Sequence, residues 1–139
     1  MGENYLDHVV INVKDDMDLA QLVFSNLGFT LTPRGYHTLG SINHLMMFGS
    51  DYMELIGFPE HGVANNPNAR PDLTTAPFGI NGLVFKSSDV DKTFEKLVEL
   101  EMDGDPPKSF SRPVELDGRK TDAKSVSYTH LTLPTKDSV

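Results

Sequence analysis

The sequence predicts an α+β fold made of two βαβββ modules, the second of them incomplete. Three observations lead there. Residues 1–58 run strand, helix, strand, strand, strand; a stretch rich in Asn, Pro and Gly follows at 59–77; and the strand–helix pattern restarts at residue 78.

The first element, Tyr5 to Val13 (YLDHVVINV), is rich in β-branched residues and bounded by Asn4 and the Asp15-Asp16 pair, as a strand would be. Strand alternation puts Leu6, His8, Val10 and Asn12 on one face and Val9, Ile11 and Val13 on the other. From Met17 to Leu27, the apolar residues Leu19, Leu22, Val23 and Leu27 fall at helical spacing, with Asp16 as N-cap and Gly28 as the stop. The spacing predicts an amphipathic helix that buries this stripe. Phe29 to Thr32 reads as a short strand ended by Pro33, Arg34 and Gly35. Asn43–Phe48 and Tyr52–Phe58 then flank a Gly49-Ser50-Asp51 turn, the pattern of a β-hairpin.

The second half repeats the beginning. Gly79 to Lys86 (GINGLVFK) reads as a strand and Val90 to Glu101 as a helix capped by Asp89, with Val90, Phe94, Leu97 and Val98 on its buried face. Val13-Lys14 before one helix corresponds to Phe85-Lys86 before the other, an internal repeat at a spacing of about 70 residues. Ser109–Leu116 and the stretch from Thr121 supply the next strands. The run from Val126 to Thr135 (VSYTHLTLPT) has no counterpart in the first half and resembles the translation of a transposon-derived sequencing adapter. The expected organisation is a first module at 1–58, a linker at 59–77, a partial second module at 78–125 and a non-native tail at 126–139. His130 lies in that tail and is not counted as a ligand.

Composition narrows the function. A net charge of −8 repels nucleic acid and anionic membranes, and no apolar run approaches the roughly 20 residues of a membrane span. Met1 to Tyr5 lacks the features of a secretory signal, so the expectation is a cytoplasmic protein without nucleic-acid or membrane partners. With no cysteine, disulfides, thiolate catalysis and sulfur-ligated zinc are excluded, and any metal site must use histidine and carboxylate. Nucleophile-elbow, phosphate-loop and dinucleotide signatures are all missing, because Gly35, Gly40 and Gly49 lie in separate turns.

Three stretches, LDHVVINV, LGFTLTPRGYHTLGSINHLMMFG and DYMELIGF, together resemble the glyoxalase-like domain branch of the vicinal oxygen chelate (glyoxalase/bleomycin resistance/dioxygenase) superfamily. The likeness covers Tyr5 to Phe58 well and Phe78 to about Ser125 loosely. It implies that paired βαβββ modules curl into a cup-shaped mixed sheet, and that a divalent metal ion is held inside by residues of the first and last strands of each module. In this sequence those roles fall on His8 and Glu54, with Glu54 also the catalytic carboxylate. Zinc, nickel, manganese and iron are not distinguished. Alternation independently sets Tyr52, Glu54 and Ile56 on one face and Met53 and Leu55 on the other. A carboxylate in so apolar a strand needs a partner if buried. The second copy departs from the pattern: where the superfamily often takes a histidine, this chain has Gly79 and Ile80.

Asn43, His44 and Arg34 are the candidate substrate-binding residues. Each has an ordinary structural alternative: Asn43 as a turn cap after Gly40, His44 as a strand-edge residue, Arg34 as a solvated turn arginine. His37 and the linker residue His61 read as loop positions, and Met46-Met47 as core. The resemblance implies a metal-dependent lyase or isomerase acting on a small molecule with neighbouring oxygens. Two other readings stand beside it: a metal-free protein that sequesters a small molecule in the cup, and a ring-cleaving dioxygenase relative, for which only one histidine is well placed. The unfinished sheet also predicts an edge open to homodimerisation or aggregation.

Overall fold

The β-branched run near the N-terminus forms β1 (Leu6–Lys14), and the periodic stretch after it forms α1 (Met17–Asn26). The rest of the first module is β2 (Gly35–Tyr36), β3 (Ile42–Phe48) and β4 (Asp51–Gly57). Then come α2 (Pro71–Thr75), β5 (Gly79–Phe85), α3 (Val90–Glu99), β6 (Lys108–Leu116) and β7 (Arg119–Ser127). The structure, a computed structural model, describes residues 5–59, 70–102, 106–116 and 118–127.

Five strands make one mixed sheet in the order β2-β3-β4-β1-β5. β1 and β4 are parallel, with His8 opposite Tyr52 and Val10 opposite Glu54; β5 runs antiparallel to β1 on its other side. This is the expected α+β arrangement, a complete βαβββ module joined to the first strand of a second. The β3–β4 hairpin forms about the Gly49 turn, where a positive φ of 77° suits glycine. Gly57 is required for a different reason: a Cβ there would run into the carbonyl oxygen of Lys14, where β4 closes against β1. The remaining strands, β6 and β7, pair with each other in a separate hairpin whose β6 lies near β2.

The core sits between α1 and the outer face of the sheet, where Ile11, Val13, Ile42, Met46 and Leu55 meet Met17 and Ala20. Here the structure corrects the sequence expectation. α1 buries Met17 and Ala20 and half-buries Phe24, whereas the Leu19, Leu22, Val23 and Leu27 stripe faces out, with Leu22 58% and Leu27 67% exposed. Both stripes have helical periodicity, and the entry turn chooses between them. The Asp16 amide donates to the Val13 carbonyl at 2.9 Å, which starts the helix two residues after β1 with Met17 already over the sheet. Asp16 occupies the N-cap position, but its side chain caps no amide.

Other boundaries also moved. Residues 29–34 are not a strand, although Thr32 exchanges bonds with Leu45, its amide donating to the Leu45 carbonyl and its hydroxyl accepting from the Leu45 amide, both at 2.9 Å. The stretch expected to be a featureless linker contains α2, whose Leu73 is buried with Ile56 and Phe58 in a second, smaller apolar cluster. Asn12, wholly buried on the inner face, donates from Nδ2 to the Leu73 carbonyl at 2.8 Å and so fastens α2 beneath β1. Asp89 caps α3 as expected, its carboxylate accepting from the Lys92 amide at 3.1 Å. No residue of α3 is fully buried; Val90, Phe94 and Leu97 are half-buried and Val98 is exposed. β7 continues to Ser127, two residues into the stretch set apart as a tail, while His61 and His130 lie outside the described residues.

Candidate functional site

Register and alternation bring His8, Asn43, Tyr52 and Glu54 to the inner face, opposite α1. His8 Nε2 stands 3.4 Å from Glu54 Oε2, and the other Glu54 oxygen accepts from Asn43 Nδ2 at 2.6 Å. Glu54 is 9% exposed and Asn43 2%. On the far side of the imidazole, His8 Nδ1 donates to Asp7 Oδ2 at 2.8 Å. The Tyr52 ring stacks on the imidazole with centroids 4.3 Å apart and planes 10° from parallel. The two residues expected to act together therefore do meet, and each is held by a second polar partner.

The electrostatics follow from these contacts. Burial alone would lower the His8 pKa, but hydrogen bonding to Glu54 and Asp7, with their negative charges, outweighs it and raises the value above the ordinary histidine range. Burial would raise Glu54; the bonds from His8 and Asn43, with the nearby charges of His8 and His37, lower it instead. Asp7 is likewise lowered, its slight burial outweighed by His8 and Lys86. Glu54 is thus an ionised carboxylate on an apolar strand, kept so by its neighbours.

His44 and Arg34 take another course. One residue along from Asn43, His44 faces the opposite side of the sheet, toward α1. Its Nδ1 donates to the Thr32 carbonyl at 2.7 Å and its Nε2 accepts from Arg34 Nε at 3.2 Å. Arg34 also pairs with Asp18 and donates to Gln21 at 3.0 Å, both on α1. This pair, expected to bind substrate, instead ties the β2 approach to the helix; strand alternation separates it from Glu54. Asn43 does belong to the inner face. Its Nδ2 is fixed on a carboxylate, so its Oδ1 is held as a buried acceptor, and that oxygen has no hydrogen-bond partner.

Two contributors were not picked out from the sequence. Asp7 would, by simple alternation, face away from His8. His37 reads as a loop residue, yet its Nδ1 lies 2.7 Å from Ser41 Oγ and its charge reaches Glu54. The signal available for His37 was a polar residue, Ser41, four positions on across the Gly40 turn. In the second half, the positions matching the superfamily histidine hold Gly79, with φ at 107°, and Ile80, 71% exposed.

The donor set fits half of a divalent site. Two ligands on a tetrahedral ion with bonds of about 2.1 Å stand about 3.4 Å apart, and the His8–Glu54 separation is 3.4 Å. Among the described residues, no group of three or more His, Asp or Glu could hold an ion.

The comparisons agree with this geometry at the level of fold. In solved structures the chain is similar to a hypothetical protein from Staphylococcus aureus, with a TM-score of 0.64 and 17% identity over 91% of this chain and 53% of that one. It is also similar to a hypothetical protein from Bacillus halodurans, with a TM-score of 0.58 and 16% identity over 87% of this chain and 93% of the other. The chain thus spans about half the length of the staphylococcal protein. No curated protein matches it. The sequence profile of the glyoxalase-like domain matches residues 6–138, nearly the whole chain. Matched over that span and built on a βαβββ sheet, this chain belongs to the glyoxalase-like domain family.

Proposed function

We propose that the protein is a metal-dependent enzyme of lyase or isomerase type, acting on a small substrate with neighbouring oxygens on the inner face of the sheet. The observation that carries this reading is the convergence of His8 Nε2 and Glu54 Oε2 at 3.4 Å, each backed by a second partner, Asp7 or Asn43. Ligands oriented by outer hydrogen bonds are characteristic of metal sites. A divalent ion held by His8 and Glu54 would supply Lewis acidity toward the substrate oxygens. Glu54, ionised and anchored through one oxygen by Asn43, is the group able to accept a proton from the substrate. Asn43 Oδ1 is available to accept a hydrogen bond from the bound molecule. Ile56, which is buried, and half-buried Val10 give this face apolar neighbours.

A second reading is favoured by one observation: the described residues offer only two side-chain ligands, and these already form an ion pair with each other. On that reading the protein binds a small polar molecule without metal, and His8 and Glu54 serve as hydrogen-bonding groups. Equilibrium dialysis against zinc, nickel, manganese and iron, followed by elemental analysis, separates the two. The expected result is a stoichiometric divalent ion in the wild type, lost in His8→Ala and Glu54→Ala. Equal metal content in all three proteins removes the ligand assignment, and a metal-free wild type selects the second reading.

A further inference from the structure

Consecutive residues of a regular strand point to opposite faces, yet Asp7 and His8 bond side chain to side chain at 2.8 Å. The register explains how. Against β5, Leu6 lies opposite Phe85 and His8 opposite Val84, so Asp7 is an extra residue with no counterpart, a β-bulge. Bulges redirect side chains, and they are over-represented beside active sites. This one turns Asp7 back onto the imidazole that alternation would have set apart from it.

The redirected carboxylate is itself held. Its other oxygen lies 3.4 Å from Lys86 Nζ at the end of β5. Lys86 also donates to the carbonyl of Ser50, in the turn between β3 and β4, at 3.4 Å and stands 3.8 Å from Asp51, the first residue of β4. With Tyr52 stacked on its face, the His8 ring is fixed in plane and at Nδ1.

We propose that Asp7 is a positioning residue for His8, with Lys86 as its anchor. Asp7 is closer to the ring than Glu54 is, at 2.8 Å against 3.4 Å. A neutral His8 therefore keeps its proton on Nδ1 and presents the Nε2 lone pair, beside Glu54 Oε2, to a cation or a ligand donor. A histidine ligand whose other nitrogen donates to a carboxylate has its tautomer fixed and its basicity raised. Lys86 directly follows β5, so the second half of the chain contributes to the site built by β1 and β4. The inference rests on the reading of His8 as a ligand.

The test uses the whole chain labelled with 15N-histidine, metal-free, in alkaline buffer where His8 is neutral. Long-range proton–nitrogen correlation should show the His8 proton on Nδ1 in the wild type and in Asp7→Asn, whose amide oxygen still accepts. In Asp7→Ala it should move to Nε2 or divide between the two nitrogens. Zinc affinity measured by dialysis should fall about 10- to 100-fold in Asp7→Ala, less in Asp7→Asn, and least in Lys86→Met. An unchanged tautomer in Asp7→Ala overturns the proposal even if zinc affinity falls, because loss of charge would then explain the weaker binding. If the wild type binds no zinc, the metal reading fails while the tautomer still decides the role of Asp7.

Discussion

At the scale of single residues, the inner-face network is a set of charges that stabilise one another only while all are ionised. His8 is raised, so its contribution is fully present below about 6.5 and is lost as pH rises through the folded value. Glu54 and Asp7 are lowered, so theirs is present above about 4.5 and is lost as pH falls through their folded values. The stability difference between wild type and His8→Gln, from urea midpoints across pH, should therefore peak between about 4.5 and 6.5 and shrink on both sides. A difference independent of pH contradicts the network. Asn43→Ala leaves one Glu54 oxygen buried without its donor and should cost about 1–3 kcal/mol in the same measurement. Asp7 shows why the sequence shows only part of the site: a bulge depends on how β1 meets β5, some 75 residues apart, and no local pattern encodes that.

At the scale of elements, α1 is the informative case. Periodicity correctly gives a helix, since either apolar stripe supports one, but the phase is set by the tight exit from β1. Met17→Ala, in the buried face, should destabilise by about 2–5 kcal/mol. Leu22→Gln, on the stripe that sequence alone would bury, should stay within about 0.5 kcal/mol of wild type. The reverse order in chemical denaturation would put the helix in the other phase. Gly57→Ala tests the closure of β4 on β1: the added methyl meets the Lys14 carbonyl, a backbone group that has no freedom to yield. The expected outcome is a loss of at least about 2 kcal/mol, at the upper part of the overpacking range. His44 and Arg34 belong to this scale too. Residue type makes them attractive as substrate ligands, while alternation and α1 place them as a clip between helix and sheet.

At the scale of the whole molecule, the sheet ends at β5. Its far edge takes no strand among the described residues, and Ile80, Leu83 and Phe85 are exposed on it. Unpaired apolar edges promote association, so we expect a homodimer or larger species that grows with concentration in sizing and sedimentation. Ile80→Lys with Phe85→Lys should reduce it without altering zinc content. A monodisperse monomer at all concentrations argues against the edge as an interface. No helix among the described residues is long and apolar enough to cross a membrane.

By itself the sequence determined the first strand and the helix after it, the hairpin at Gly49, the cap at Asp89, the absence of sulfur ligands and the shared face of His8 and Glu54. It set the short second strand at 29–32 instead of Gly35–Tyr36. The features it determined follow from local spacing, alternation and composition, which are properties of neighbouring residues. Only the tertiary structure decided which stripe of α1 is buried, that α2 lies beneath Asn12, that His44 and Arg34 face away from the site, and that Asp7 and His37 reach it. These depend on strand register and on turns that join distant residues. There, packing selects among alternatives that are equal in the local pattern.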